Sequence, residues 1–185
     1  MAATALIIVD LQNDFCPGGT LAVREGDQVV PVVNALIARF SGQGAPIFAT
    51  RDWHVADHIS FVAQGGIWPP HCVQATRGAQ FHPDLQLPGD AAIISKGERQ
   101  DRDAYSGFDG TDLADRLKAL AVEKLVVCGL ATDYCVKATV LDGLEAGFGV
   151  EIMAAGIRGV EVAPGDSQGA IDKMVERGAV MSAAP

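Results

Sequence analysis

The chain has 185 residues, 49% of them apolar, with 14 basic against 23 acidic side chains and a formal net charge of −9. That apolar content can bury one substantial core, so a single domain over residues 1–185 is expected. An acidic chain with no basic stripe to offset phosphate charge excludes nucleic acid and anionic membrane as natural partners and favours a small, neutral or weakly charged ligand.

From the amino terminus, nothing has the basic region, apolar segment and cleavage site of a secretory signal, and the first apolar run begins almost at once. No apolar run approaches the roughly 20 residues needed to span a bilayer, so a soluble, cytoplasmic protein is expected. Short apolar runs without strict alternation, at roughly 6–9, 46–50, 91–95, 124–128, 149–153 and 178–182, predict strands covered on both faces. Helical patterns fall between them at roughly 28–40, 111–121, 134–146 and 166–177. Gly147 and Gly178 follow the ends of the last two, and Asp166 with Ser167 is expected to cap the last. Alternating strands and helices predict a doubly wound α/β fold, a mostly parallel six-stranded sheet with helices on both faces. Two long segments, 11–27 and 52–90, break the alternation, and long loops in a compact domain are usually functional. The four cysteines, Cys16, Cys72, Cys128 and Cys135, form no Cys-x-x-Cys pair and are expected to be reduced thiols.

Several of the apolar runs end in a polar or ionisable residue. Leu6–Val9 ends at Asp10, Pro46–Thr50 leads through Arg51 to Asp52 and His54, and Ala91–Ser95 ends at Lys96. The run Leu125–Cys128 leads through Gly129 into Cys135, placed by the helical pattern in the first turn of a helix, where unpaired N–H groups and the helix dipole favour a thiolate. A free cysteine is also commonly a small buried hydrophobe, and Cys135 alone does not decide between the two. Ligands of open parallel sheets bind outside the carboxyl ends of the strands, so Asp10, Lys96 and Cys135 become a possible acid/base, cation and nucleophile group.

Three of the four histidines, His54, His58 and His71, fall in the second long segment behind Asp52. Asp52 and His54 stand two apart, so on extended backbone both point to one side and can share an ion, to which His71 would return from beyond Trp68-Pro69-Pro70. A polar surface loop is the ordinary alternative, but the Asp-x-His spacing at a strand end favours one divalent metal ion. Zinc, iron and manganese all suit imidazole and carboxylate ligands.

These residues sit in stretches that closely resemble nicotinamidases, also called pyrazinamidases, within the isochorismatase-like hydrolases. The matching stretches are Ile7–Gly19, Thr50-Arg51-Asp52-Trp53-His54, Trp68-Pro69-Pro70-His71-Cys72-Val73, Ser95-Lys96-Gly97, Tyr105-Ser106-Gly107-Phe108 and Gly129–Val136, in family order over most of the chain. The resemblance implies an isochorismatase-like fold and hydrolysis of a linear amide, nicotinamide to nicotinate and ammonia, in NAD salvage, with pyrazinamide as a further substrate. It implies Cys135 as nucleophile, Asp10 as general acid/base and Lys96 as third catalytic residue. Asp52, His54 and His71 become metal ligands, zinc first, with His58 as a replaceable further ligand. Phe15, Trp68 and Tyr105 would line the pocket around the ring, as an apolar aromatic ligand requires. A cis peptide between Leu130 and Ala131 would aim the Ala131 amide, with that of Cys135, at the oxyanion. Partners beyond the small-molecule substrate are not implied, though a homo-oligomer is compatible with the sequence. Two rivals remain: a carbamoyl or ureido amidase using the same cysteine, aspartate and lysine, and a metal-binding or thiol-sensing module without turnover.

Overall fold

In the computed structural model, which describes residues 3–183, every predicted strand and helix is present within a few residues. The strands are β1 (Ala3–Val9), β2 (Ile47–Asp52), β3 (Ala92–Lys96), β4 (Val122–Leu130), β5 (Gly149–Arg158) and β6 (Val180–Ser182), in the order β3-β2-β1-β4-β5-β6. All neighbouring pairs are parallel. The chain first winds outward from β1 to β3, then crosses back to β4 and winds the other way. The reversal puts the switch point between β1 and β4, where open α/β sheets bind their ligands.

The side-chain period of two divides β1 cleanly. Leu6 and Ile8 join one core layer with Val33, Leu36, Ile37 and Phe40 of α1 (Val30–Gly42). Ala5, Ile7 and Val9 join the other, with Leu113 and Leu117 of α2 (Leu113–Ala119), Val140 of α3 (Lys137–Glu145) and Met174 of α4 (Asp166–Glu176). Helices therefore cover both faces, one against three. Each fully buried leucine or isoleucine in these layers contributes about 1.5–3 kcal/mol.

Two local departures from the sequence expectations matter for the site. The helix expected from 134 begins as a π-helical turn, Thr132–Val136, and α3 proper starts at Lys137, so Cys135 sits in the wider turn ahead of the regular helix. β5, expected to end at 153, runs on to Arg158, because its register against β4 jumps from Val127 opposite Ile152 to Gly129 opposite Ile157. Gly129 has φ +118°, and a Cβ there would lie 2.1 Å from the Val9 carbonyl oxygen, so only glycine lets the ends of β1 and β4 approach this closely. The cap of α4 also differs: Gly165 occupies the cap position, and Glu161 accepts the Gly165 and Ser167 amides at 3.0 and 2.8 Å.

Candidate active site

Four adjacent strand ends, those of β3, β2, β1 and β4, each deliver one ionisable or nucleophilic side chain. Asp10 follows β1, Asp52 ends β2, Lys96 ends β3, and Cys135 follows β4. Asp52 and Lys96 are directly opposite in the β2–β3 register. All four are buried.

Lys96 ties the group together. Its Nζ lies 2.8 Å from Asp10 Oδ2, donates to Asp52 Oδ1, donates to the Ala104 carbonyl at 3.2 Å and reaches Cys135 Sγ at 3.5 Å. Asp10 is held from its other side by Thr50, whose hydroxyl donates to Oδ1 at 2.7 Å. Asp52 is fixed through its backbone: Gln12 Oε1 accepts the Asp52 amide at 2.8 Å while Gln12 Nε2 donates to the Asp52 carbonyl, also at 2.8 Å.

Burial and charge oppose one another here, and the winner differs by residue. Burial raises the Asp10 carboxyl above its ordinary value and Lys96 only partly offsets it, which suits a group that must accept and return a proton. Burial also pushes Asp52 upward, but Lys96 and His54 outweigh it and hold this carboxyl well below the usual range. Burial would discharge Lys96, yet the two carboxylates keep it charged well above its ordinary value. The Cys135 thiol is pushed well up by burial, opposed by Lys96 and reinforced by Asp10 and Asp52. The helix-terminus effect that favours a thiolate is therefore opposed by burial in a π turn beside two carboxylates, and of the two alternatives this leans toward a thiol that needs a base to take its proton.

Beside this group, Asp52 Oδ2 faces two imidazoles, with His54 Nε2 at 3.6 Å and His71 Nε2 at 3.9 Å. The ligand atoms of Asp52, His54 and His71 all lie within 4.8 Å of one another. His54 Nδ1 donates to the Gly97 carbonyl at 2.9 Å and His71 Nδ1 to the Pro69 carbonyl at 2.8 Å, which leaves both Nε2 lone pairs turned toward the carboxylate. That is the donor set and the outer-shell bonding a divalent ion of the zinc, iron or manganese kind requires. Gly97, at φ +63°, permits the contact, since a Cβ there would lie 2.5 Å from His54 Cε1. His58 packs tilted against His54 with ring centroids 4.1 Å apart, but both its nitrogens are engaged. Nε2 donates to the Arg102 carbonyl at 3.1 Å, and Nδ1 meets the Ser60 hydroxyl at 2.7 Å.

A narrow cleft opens onto Cys135, Asp52, His54 and His71, and the expected wall residues Phe15, Trp68, Tyr105 and Ala131 all line it. Trp68 Nε1 donates to the Tyr105 hydroxyl at 2.9 Å, and Tyr134 packs edge-on against Trp68 with centroids 5.1 Å apart. The Leu130–Ala131 peptide is cis.

Sequence reading assigned no part to Thr50, Gln12, Tyr134, Val160, Asp103 or Asp133. Asp133 accepts the Val160 and Glu161 amides at 2.9 Å each, which carries Val160 to the cleft. Gln12, Thr50, Asp133 and Tyr134 fall inside the family-like stretches, the one signal that marks them; Asp103 and Val160 lie outside them.

Comparison with known proteins places these features in context. The isochorismatase domain family matches residues 4–185. The nicotinamidase of Escherichia coli (strain K12) is 44% identical, across 98% of this chain and 95% of its own. The crystal structure of the pyrazinamidase of Pyrococcus horikoshii in complex with zinc superposes with a TM-score of 0.93 at 50% identity, covering 97% of this chain and 98% of that one. PnC1 from L. infantum, solved in complex with nicotinate, gives a TM-score of 0.89 at 35% identity over 98% and 92%.

Proposed function

The chain belongs to the isochorismatase family, and from that premise we infer that it is a nicotinamidase, hydrolysing nicotinamide to nicotinate and ammonia in NAD salvage and accepting pyrazinamide as well. The observation that carries the reading is Cys135 in an aromatic cleft whose other wall is Asp52, His54 and His71, with Lys96 buried 3.5 Å from its sulfur and Asp10 buried 2.8 Å from Lys96.

Amides are poor electrophiles with a poor leaving group, so hydrolysis at neutral pH draws on a nucleophile, a proton carrier and an oxyanion site together. In our reading Asp10 takes the proton of the Cys135 thiol, and the sulfur attacks the carboxamide carbon. The carbonyl oxygen, now negative, is received by the backbone amides of Ala131 and Cys135. Collapse breaks the C–N bond as Asp10 returns its proton to nitrogen, and ammonia leaves a thioester. Asp10 then deprotonates water, which attacks the same carbon. The C–S bond breaks, the acid departs, and Asp10 gives the proton back to sulfur. Lys96 stays charged throughout, aligning Asp10 with the sulfur and balancing the negative charge. Phe15, Trp68 and Tyr105 hold the ring.

We assign one divalent ion to Asp52, His54 and His71, with His58 as a replaceable neighbour, and choose zinc on the strength of the zinc-bound P. horikoshii relative. When bound, the ion would supply Lewis acidity and a fixed positive charge on the ring's side of the cleft. A carbamoyl or ureido amidase would leave this cluster without a task. The same reading takes residues 1–185 as one domain in the cytoplasm; no helix among the described residues is long and apolar enough to cross a membrane. Ammonia release from nicotinamide, with and without a chelator, tests it. Chelator-sensitive release restored by zinc supports it, and no release from metal-loaded protein overturns it.

A further inference from the structure

One carboxylate of the cleft is used neither by the proposed chemistry nor as one of the three metal ligands. Asp103, in the segment between β3 and α2, is partly buried and lines the same cleft as Cys135. Its Oδ1 accepts the Ala104 amide at 2.9 Å. The neighbouring arginines are committed elsewhere, Arg102 to Asp109 and Arg99 to Asp101, and no lysine or arginine pairs with Asp103 among the described residues. A carboxylate oxygen of Asp103 lies within 4.8 Å of ring nitrogens of His54 and His58, which puts its charge on the metal side of the cleft. The field also crosses the cleft: burial pushes the Tyr105 hydroxyl up to about 12, and the Asp103 charge adds to that push. No lysine or arginine is among the residues that line the cleft.

Amide hydrolysis changes the charge of what the cleft holds. The substrate is neutral, and the product is a carboxylate. A divalent ion at Asp52, His54 and His71 would by itself favour the acid over the amide and slow its departure. An unpaired carboxylate beside that ion does the reverse, because it repels an anion and is indifferent to an amide. We propose that Asp103 sets the cleft's preference for the neutral amide over its anionic product, weakening product binding and hastening product release. The proposal rests on the amidase reading above and adds to it a residue that acts on ligand choice and not on bond breaking.

The test compares Asp103→Asn, which keeps the shape and removes the charge, with Asp103→Glu, which keeps the charge, both loaded with zinc. Nicotinate binding is measured by calorimetry and by product inhibition, and nicotinamide binding by calorimetry on the Cys135→Ala background. Asp103→Asn should bind nicotinate roughly five- to tenfold more tightly, as expected for removing one like charge in a partly screened cleft, and lose that gain in high salt. Nicotinamide affinity should change by less than about twofold under the same charge argument, and Asp103→Glu should resemble the unmodified protein. Unchanged nicotinate affinity, or an equal shift for both ligands, overturns the proposal. So does loss of zinc from Asp103→Asn by elemental analysis, since Asp103 would then hold the metal. If Asp103→Asn does not fold, Asp103→Ser serves for the same comparison. The two levels of failure separate: no ammonia from the unmodified protein sinks the amidase reading, whereas ammonia release with unshifted nicotinate binding in Asp103→Asn sinks this inference alone.

Discussion

Replacing Lys96 by methionine removes the one cation that Asp10 and Asp52 share while keeping most of the volume of a fully buried side chain. Oxygens of the two carboxylates stand within 4.8 Å. At an effective dielectric near 20, two unit charges at that spacing repel by roughly 3.5 kcal/mol, and removing one partner from a buried ion pair typically costs about 3–5 kcal/mol. We therefore expect metal-free Lys96→Met to be about 4 kcal/mol less stable than the unmodified protein near pH 8. The deficit should depend on pH in a definite direction. One of the two stranded carboxylates escapes the repulsion by binding a proton, so its pKa in the folded variant rises above the unfolded value of about 4. A carboxyl raised in this way contributes stability below its unfolded pKa and loses it as pH rises through the folded value, so the deficit should shrink on acidification toward about pH 5. Urea unfolding of both metal-free proteins at the two pH values measures this. Ammonia release by the metal-loaded variant should fall roughly a thousandfold, the scale seen when one charge-stabilising group is removed from an active site. A deficit equal at both pH values, or a rate within tenfold of the unmodified protein, would refute the bridging role of Lys96.

Other substitutions probe separate parts of the account. Cys135→Ala should lose all turnover while still folding and binding nicotinamide by calorimetry, and ammonia release above a few per cent would contradict it. His54→Ala and His71→Ala should lose the metal by elemental analysis, whereas His58→Ala should retain it, because both His58 nitrogens already have protein partners. Acidification should release the metal, since a proton competes for His54; burial lowers its proton affinity, but Asp52 outweighs burial and leaves it raised. A chelating dye follows that release, and a metal content independent of pH would count against imidazole ligation. Gly129→Ala should cost about 3 kcal/mol or more in thermal or urea unfolding, through positive φ and the Val9 carbonyl contact.

The parts of the molecule legible from sequence share a physical cause. Apolar runs that end abruptly in a charged residue mark the carboxyl ends of parallel strands, so Asp10, Asp52 and Lys96 could be placed on one rim before any coordinates. The parallel sheet with helices on both faces followed from the same periodicities, and the aromatic wall from the family-like stretches. What could not be read depends on distance in space. Thr50 reads as one more β-branched strand residue, and only its 2.7 Å bond to Asp10 makes it a positioning residue. The helix terminus that favours a thiolate at Cys135 is visible in the sequence, whereas the burial and carboxylates that raise its thiol come from elements far along the chain. Likewise the occupied Nε2 of His58 depends on the Arg102 carbonyl, 44 residues away.

The central claim is that Cys135 carries the acyl group of the substrate as a thioester between two halves of one hydrolysis. Intact-mass and peptide-mass analysis of the metal-loaded protein, acid-quenched while turning over nicotinamide, addresses it directly, with hydroxylamine added in parallel to trap the acyl group. The account expects a nicotinoyl group on the peptide containing Cys135, its conversion to the hydroxamate by hydroxylamine, and neither with Cys135→Ala. Ammonia release that persists in Cys135→Ala, or a nicotinoyl group carried on any other residue, would contradict it.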